Sequence, residues 1–92
     1  MMNKAYYAVI AGELAPGARV SDEQFSKIPD IIRASFQAVN RLVPEEARLK
    51  YEIIRMDEFL ALSASPEHSI RSVIMLFSAF RFLSYKELTE RL

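Results

Sequence analysis

Hydrophobic and polar positions divide this chain into short strands and two long helical stretches. Over Lys4–Leu14, Tyr6, Ala8 and Ile10 alternate with Tyr7, Val9 and Ala11, and both sets are apolar. That pattern predicts a strand covered on both faces. Pro16-Gly17 then breaks it, because Pro presets the first central turn residue and Gly supplies the second. Ser21 and Asp22 are suited to cap a short helical turn over 22–27. From Pro29 to about Leu42, Ile28, Ile31, Ile32, Phe36, Val39 and Leu42 or Val43 recur at helical spacing. Pro44 stops that helix.

Leu49–Arg55 predicts a second strand, with Leu49, Tyr51 and Ile53 on one face. Arg55-Met56-Asp57-Glu58 reads as a tight turn into a third strand, Glu58–Ser63, where Phe59 and Ala61 alternate with Leu60 and Leu62. The turn lacks the Gly that favoured hairpin turns use. Ser65-Pro66-Glu67 is a helix start: a cap, Pro at the first position, then an acid. That helix is expected to run to about Leu83, with Ile70, Val73, Ile74, Phe77 and Phe80 or Arg81 facing one way. Met75, Leu76 and Phe82 lie off that stripe. Ser84-Tyr85-Lys86-Glu87 has capping-box spacing, which predicts a last short helix over Tyr85–Arg91.

The order is βαββα plus a terminal helix, in one α+β domain over residues 1–92. It is an incomplete ferredoxin-like layout: a three-stranded sheet covered by two helices, without the closing strand of a βαββαβ unit. Strands one and three are expected to be neighbours and parallel, with the end of the first near the hairpin tip. The first strand then becomes a sheet edge. Tyr6, Tyr7, Ala8, Val9, Ile10 and Ala11 would present unpaired backbone on an apolar, Pro-free strand, which natural proteins rarely leave open.

Composition sharpens that expectation. Ninety-two residues hide only about 60–65% of their unfolded surface, yet 51% of them are hydrophobic. Such a surplus of apolar surface points to self-association, a homodimer paired through the first strand. Twelve basic residues balance twelve acidic ones, which argues against nucleic acid as a partner. Arg33, Arg41 and Arg48 read as solvated helix-face charges. Without cysteine there are no disulfides, thiolate metal sites or cysteine nucleophiles. The first residues lack a signal-peptide pattern, and the longest apolar run, Ile70–Leu83, is too short and too charged to span a bilayer. A cytoplasmic location and no membrane partner are expected.

Candidate chemistry is sparse. Glu13 at the end of the first strand and Asp57 and Glu58 at the hairpin are positioned to converge. Three carboxylates there suit Mg²⁺, which takes oxygen ligands and substrate phosphates. His68 is the only histidine and has no second His or Cys for a transition-metal site. Ser63, Ser65 and His68 are close in sequence, but no G-x-S-x-G elbow is present and capping accounts for Ser65. Two glycines, Gly12 and Gly17, cannot build a phosphate-cradling loop.

Tyr7-Ala8-Val9-Ile10-Ala11-Gly12-Glu13-Leu14 resembles the opening strand of SatD-type proteins, an apolar strand followed by Gly-Asp-Ile. Arg55-Met56-Asp57-Glu58-Phe59-Leu60 resembles their hairpin motif, Gly-Asp-(Ser/Glu)-Phe-Gln. The resemblance covers about residues 5–83 and extends to the palm of nucleotidyl cyclases. It implies a palm that binds metal and nucleotide phosphate through an acid on strand one and acids at the hairpin, here Glu13, Asp57 and Glu58. The departures are Glu13 for Asp, Met56 for Gly and Leu60 for Gln. Met56 places a side chain where a nucleotide's phosphates would approach the backbone. SatD-type chains continue into a further strand and often a helix-turn-helix, which implies transcriptional regulation. Ser84–Leu92 offers only one short helix, so DNA binding by this chain alone is not expected. The expectation is a self-associating interaction or regulatory domain without catalysis of its own. The alternative is a metal-dependent nucleotide-binding or nucleotidyl-transfer palm, whole or vestigial, or the N-terminal part of a SatD-type transcriptional regulator.

Overall fold

The computed structural model describes residues 7–14 and 21–89, with side chains as far as residue 85. The order is β1 (Ala8–Glu13), α1 (Asp22–Phe25), α2 (Ile28–Leu42), a 3-10 turn (Glu45–Ala47), β2 (Leu49–Arg55), β3 (Glu58–Ser63) and α3 (Pro66–Thr89). This is the expected α+β arrangement of an open three-stranded sheet with helices. The expected turn at Pro16-Gly17 and the residues before Tyr7, Tyr6 included, lie outside the described residues.

Local chemistry sets most boundaries. Ser21 and Gln24 form a reciprocal capping box at α1: Ser21 Oγ accepts from the Gln24 amide at 3.1 Å, and the Ser21 amide donates to Gln24 Oε1 at 2.9 Å. Pro44 forces Val43 into an extended conformation and ends α2. Asn40 then ties that end to β2. Its Nδ2 donates to the Leu49 carbonyl at 3.0 Å and its Oδ1 accepts from the Leu49 amide at 2.7 Å. The side-chain amide stands in for a strand neighbour.

The sheet order is β1-β3-β2. β3 runs antiparallel to both neighbours, so the expected parallel pairing of the first and third strands is corrected. The reason is directional. One helical crossover returns β2 parallel to β1, and the hairpin then reverses the chain once. The hairpin closes without any positive-φ residue among those described. Such a turn fits strand twist poorly, and an irregularity between Ile53 and Arg55 absorbs the mismatch.

Both helices lie on one face of the sheet, α2 against β2 and α3 against β1. The core joins Ile28, Ile32, Phe36, Val39 and Val43 to Leu49, Phe59, Ala61, Leu76 and Phe80. Val43 closes the α2 stripe, while Leu42 stays 74% exposed. Phe36 stacks on Tyr51 at 4.2 Å and meets Phe59 edge-on at 5.2 Å and Phe80 at 6.4 Å. Gly12 makes room for this cluster: a Cβ there would stand 2.7 Å from one Phe59 ring carbon.

Three expectations change. Nothing among the described residues covers the second face of the sheet, where Val9, Leu60, Leu62 and Ile54 are exposed. Of the expected α3 stripe only Phe80 is buried, and Val73 is half-buried. Leu76 and Phe80 enter the core and Met75 packs against it, while Ile70, Ile74 and Phe77 face solvent. An all-round apolar helix leaves periodicity unable to choose its buried face. Finally, α3 passes through Ser84 without a break. No Gly or Pro follows Pro66, and a continuous helix keeps backbone bonds that a cap would only partly replace. Ser84 Oγ is instead buried with no hydrogen-bond partner among the described residues.

Phe36→Ala is expected to cost about 3–5 kcal/mol, a large part of the roughly 5–14 kcal/mol available to a domain of this size. Urea unfolding measures it; a loss under about 1 kcal/mol contradicts the role given to this ring.

Candidate functional site

The antiparallel register of β1 on β3 places Glu13 directly opposite Glu58. The Leu14 amide donates to the Asp57 carbonyl at 2.7 Å, which fastens the end of β1 to the hairpin tip. Glu13, Asp57 and Glu58 each offer a carboxylate oxygen, and these oxygens lie within 4.8 Å of one another. The three acids named from the sequence therefore meet, through the antiparallel pairing and not the parallel one expected.

Like charges directly opposite across a sheet repel. Arg55 offers weak relief: its guanidinium lies 3.9 Å from Glu58, and both groups are partly solvated. A hard divalent cation would relieve the repulsion more fully, since it takes carboxylate oxygens and keeps several waters. Glu13 is exposed, and Asp57 and Glu58 are half-buried. Such a site is open to solvent. Met56 stands beside it, 42% exposed.

The serine-histidine group is resolved differently. Ser65 Oγ lies 2.6 Å from His68 Nδ1. Glu67 Oε1 approaches that same nitrogen at 4.0 Å. A catalytic triad needs its acid on the nitrogen opposite the nucleophile, so this group has the wrong connectivity. Ser63 Oγ donates to the Ser65 carbonyl at 3.2 Å and accepts from its amide at 3.3 Å. These bonds shape the start of α3. Hydrogen bonds from its own backbone amide and from the Ser65 hydroxyl hold the Glu67 carboxyl below the usual carboxylate range, with a smaller pull from His68. That contribution is present above the ordinary carboxylate pKa and is lost as pH falls through the lowered one.

β1 is an edge strand with β3 on one side and no strand on the other among the described residues. Of the edge positions Tyr6, Tyr7, Ala8, Val9, Ile10 and Ala11, Tyr7 and Val9 are exposed large apolar residues, and Val9 is 68% exposed. Ile10 packs beneath the core, and Ala8 is half-buried. A shallow depression of about 310 Å³ on the bare sheet face is lined by Val9, Leu60, Leu62, Lys50 and Glu52 among others. Arg33 pairs with Asp30 at 2.9 Å, and Arg48 donates to the Asn40 carbonyl at 3.1 Å, so these two arginines act locally. Among the described residues no helix is long and apolar enough to cross a membrane.

No protein-family model, curated protein or solved structure matches the chain. The resemblance to SatD-type proteins accordingly rests on the motif residues themselves. Sequence reasoning missed the outward face of α3 and the space-making role of Gly12. A glycine facing an aromatic residue on the neighbouring strand was the available signal for the latter.

Glu13→Gln is expected to raise stability at neutral pH and low salt by about 0.2–1 kcal/mol, because it removes one like charge from the pair. Thermal unfolding without divalent cations measures this; destabilisation would show that the carboxylates do not repel.

Proposed function

We propose that the chain is a self-associating interaction domain that pairs through β1 as a two-fold dimer. The observation carrying this reading is the β1 edge, which no strand among the described residues pairs, with Val9 standing in solvent. Antiparallel pairing of two β1 strands satisfies both edges and makes one six-stranded sheet, β2-β3-β1-β1-β3-β2. The bare apolar face around Leu60 and Leu62 then forms a continuous surface across the two-fold axis. Such a domain has a binding or regulatory role and no catalysis of its own. Its expected setting is the cytoplasm. Val9→Lys places a charge on the edge, as natural edge strands do. Sedimentation at micromolar concentration is expected to show a dimer for the wild type and a monomer for Val9→Lys. A wild-type monomer contradicts the proposal.

The convergence of Glu13, Asp57 and Glu58 favours a second reading, a palm related to SatD-type proteins and nucleotidyl cyclases that binds Mg²⁺ and a nucleotide. The carboxylates would hold the cation, which would in turn bind the phosphates. Met56, in place of the glycine of such palms, argues for weakened phosphate approach and against turnover. Under this reading Mg²⁺ with ATP or GTP raises the unfolding free energy, by about 2.7 kcal/mol at a hundredfold excess over Kd. The shift disappears in the Glu13→Ala, Asp57→Ala double variant. No shift in the wild type excludes this reading.

A further inference from the structure

α3 is longer than the sheet it covers. Its 24 residues span about 36 Å at 1.5 Å each, whereas the six residues of β1 span about 20 Å. About thirteen helical residues, Pro66 to roughly Ser78, therefore run alongside β1; their midpoint is Ser72, about 3 Å along the helix from Ile74.

The orientation of α3 about its axis follows from its contacts. Phe80 points at the sheet, with its ring 5.5 Å from that of Phe59. Leu83 shares a cavity with Lys27, Asp30, Ile31 and Ala34 and so faces α2. At about 100° per residue, turning from Leu83 through Phe80 leads next to Val73, Phe77 and Ile70, and then to Ile74. Because α3 lies on the β1 side of the sheet and α2 on the β2 side, this succession leads to the flank above the free β1 edge. Ile70, Ile74 and Phe77 are 75%, 60% and 59% exposed there.

The stripe is self-complementary. Glu67, Ile70, Ile74, Phe77 and Arg81 follow one another at spacings of three and four residues, the spacing of a helix-pairing seam. The acid and the base each stand seven residues from Ile74, on opposite sides of it. A two-fold axis through Ile74 sets Glu67 of each copy level with Arg81 of the other, and Ile70 near Phe77. Both charged residues are exposed. An axis perpendicular to the sheet and about one strand residue from mid-β1 makes the two β1 strands antiparallel and the two α3 helices antiparallel at once. A stable dimer buries about 800 Å² per partner, more than a six-residue edge offers alone. The large side chains above that edge supply the remainder.

We propose that the outer stripe of α3 docks antiparallel on the same stripe of a second copy, with Glu67 of each chain against Arg81 of the other. This rests on the self-association proposed above and specifies its helical half.

Charge exchange tests it on the full chain, by sedimentation at a series of concentrations and low salt, with helicity checked for each variant. Each pair occurs twice in the dimer, so Glu67→Arg or Arg81→Glu alone is expected to raise the dissociation constant about tenfold. The double exchange is expected to restore it. Ile74→Glu, at an exposed position that the fold tolerates, is expected to give monomers. Single exchanges that weaken the dimer without rescue by the double overturn the Glu67–Arg81 register. If all four variants dimerise like the wild type, the helical contact is wrong, while Val9→Lys monomers in the same assay keep the strand pairing. A monomeric wild type overturns both.

Discussion

The structure depends on one aromatic cluster. Phe36 of α2 stacks on Tyr51 of β2 and meets Phe59 of β3 and Phe80 of α3 edge-on. Aromatic pairs of this kind add about 0.5–1.5 kcal/mol each beyond the area they bury. Four elements distant in sequence are held through one side chain. In a domain of 92 residues, whose surface is large for its volume, few other contacts are available for that task. β1 carries no ring of the cluster. It is admitted to the sheet because Gly12 leaves room for Phe59, and Ile10 packs beneath the same core.

The acidic site inherits its geometry from this arrangement. Phe59 faces Gly12 across the β1–β3 pair, and the next step of that register sets Glu13 opposite Glu58. The Leu14–Asp57 backbone bond closes the corner. The repulsion among the acids is thus imposed by a strand pairing that the core enforces. A cation or added salt would relieve it. Bringing acids together does not by itself make a catalyst.

The unburied apolar surface has a pattern. α3 gives Leu76 and Phe80 to the core and turns Ile70, Ile74 and Phe77 outward. The sheet gives Phe59 and Ala61 to the core and leaves Val9, Leu60 and Leu62 in solvent. One side of the molecule therefore combines a strand edge that is unpaired among the described residues with a helical apolar stripe.

Element types and most boundaries were legible in the sequence because they depend on neighbours within a few residues. Pro44 ends α2, Ser21 caps α1, and alternation defines β2 and β3. The three acids could be named because strand ends and hairpin tips are local features. Tertiary structure alone decided three matters. The direction of β3 relative to β1 follows from how many times the path reverses, which no residue pattern encodes. The buried face of α3 follows from where the aromatic cluster already stands, because its sequence is apolar nearly all round. The continuity of α3 through Ser84 follows from a choice between a local cap and a longer run of backbone bonds. Local chemistry proposes the cap; cooperativity along the packed helix rejects it.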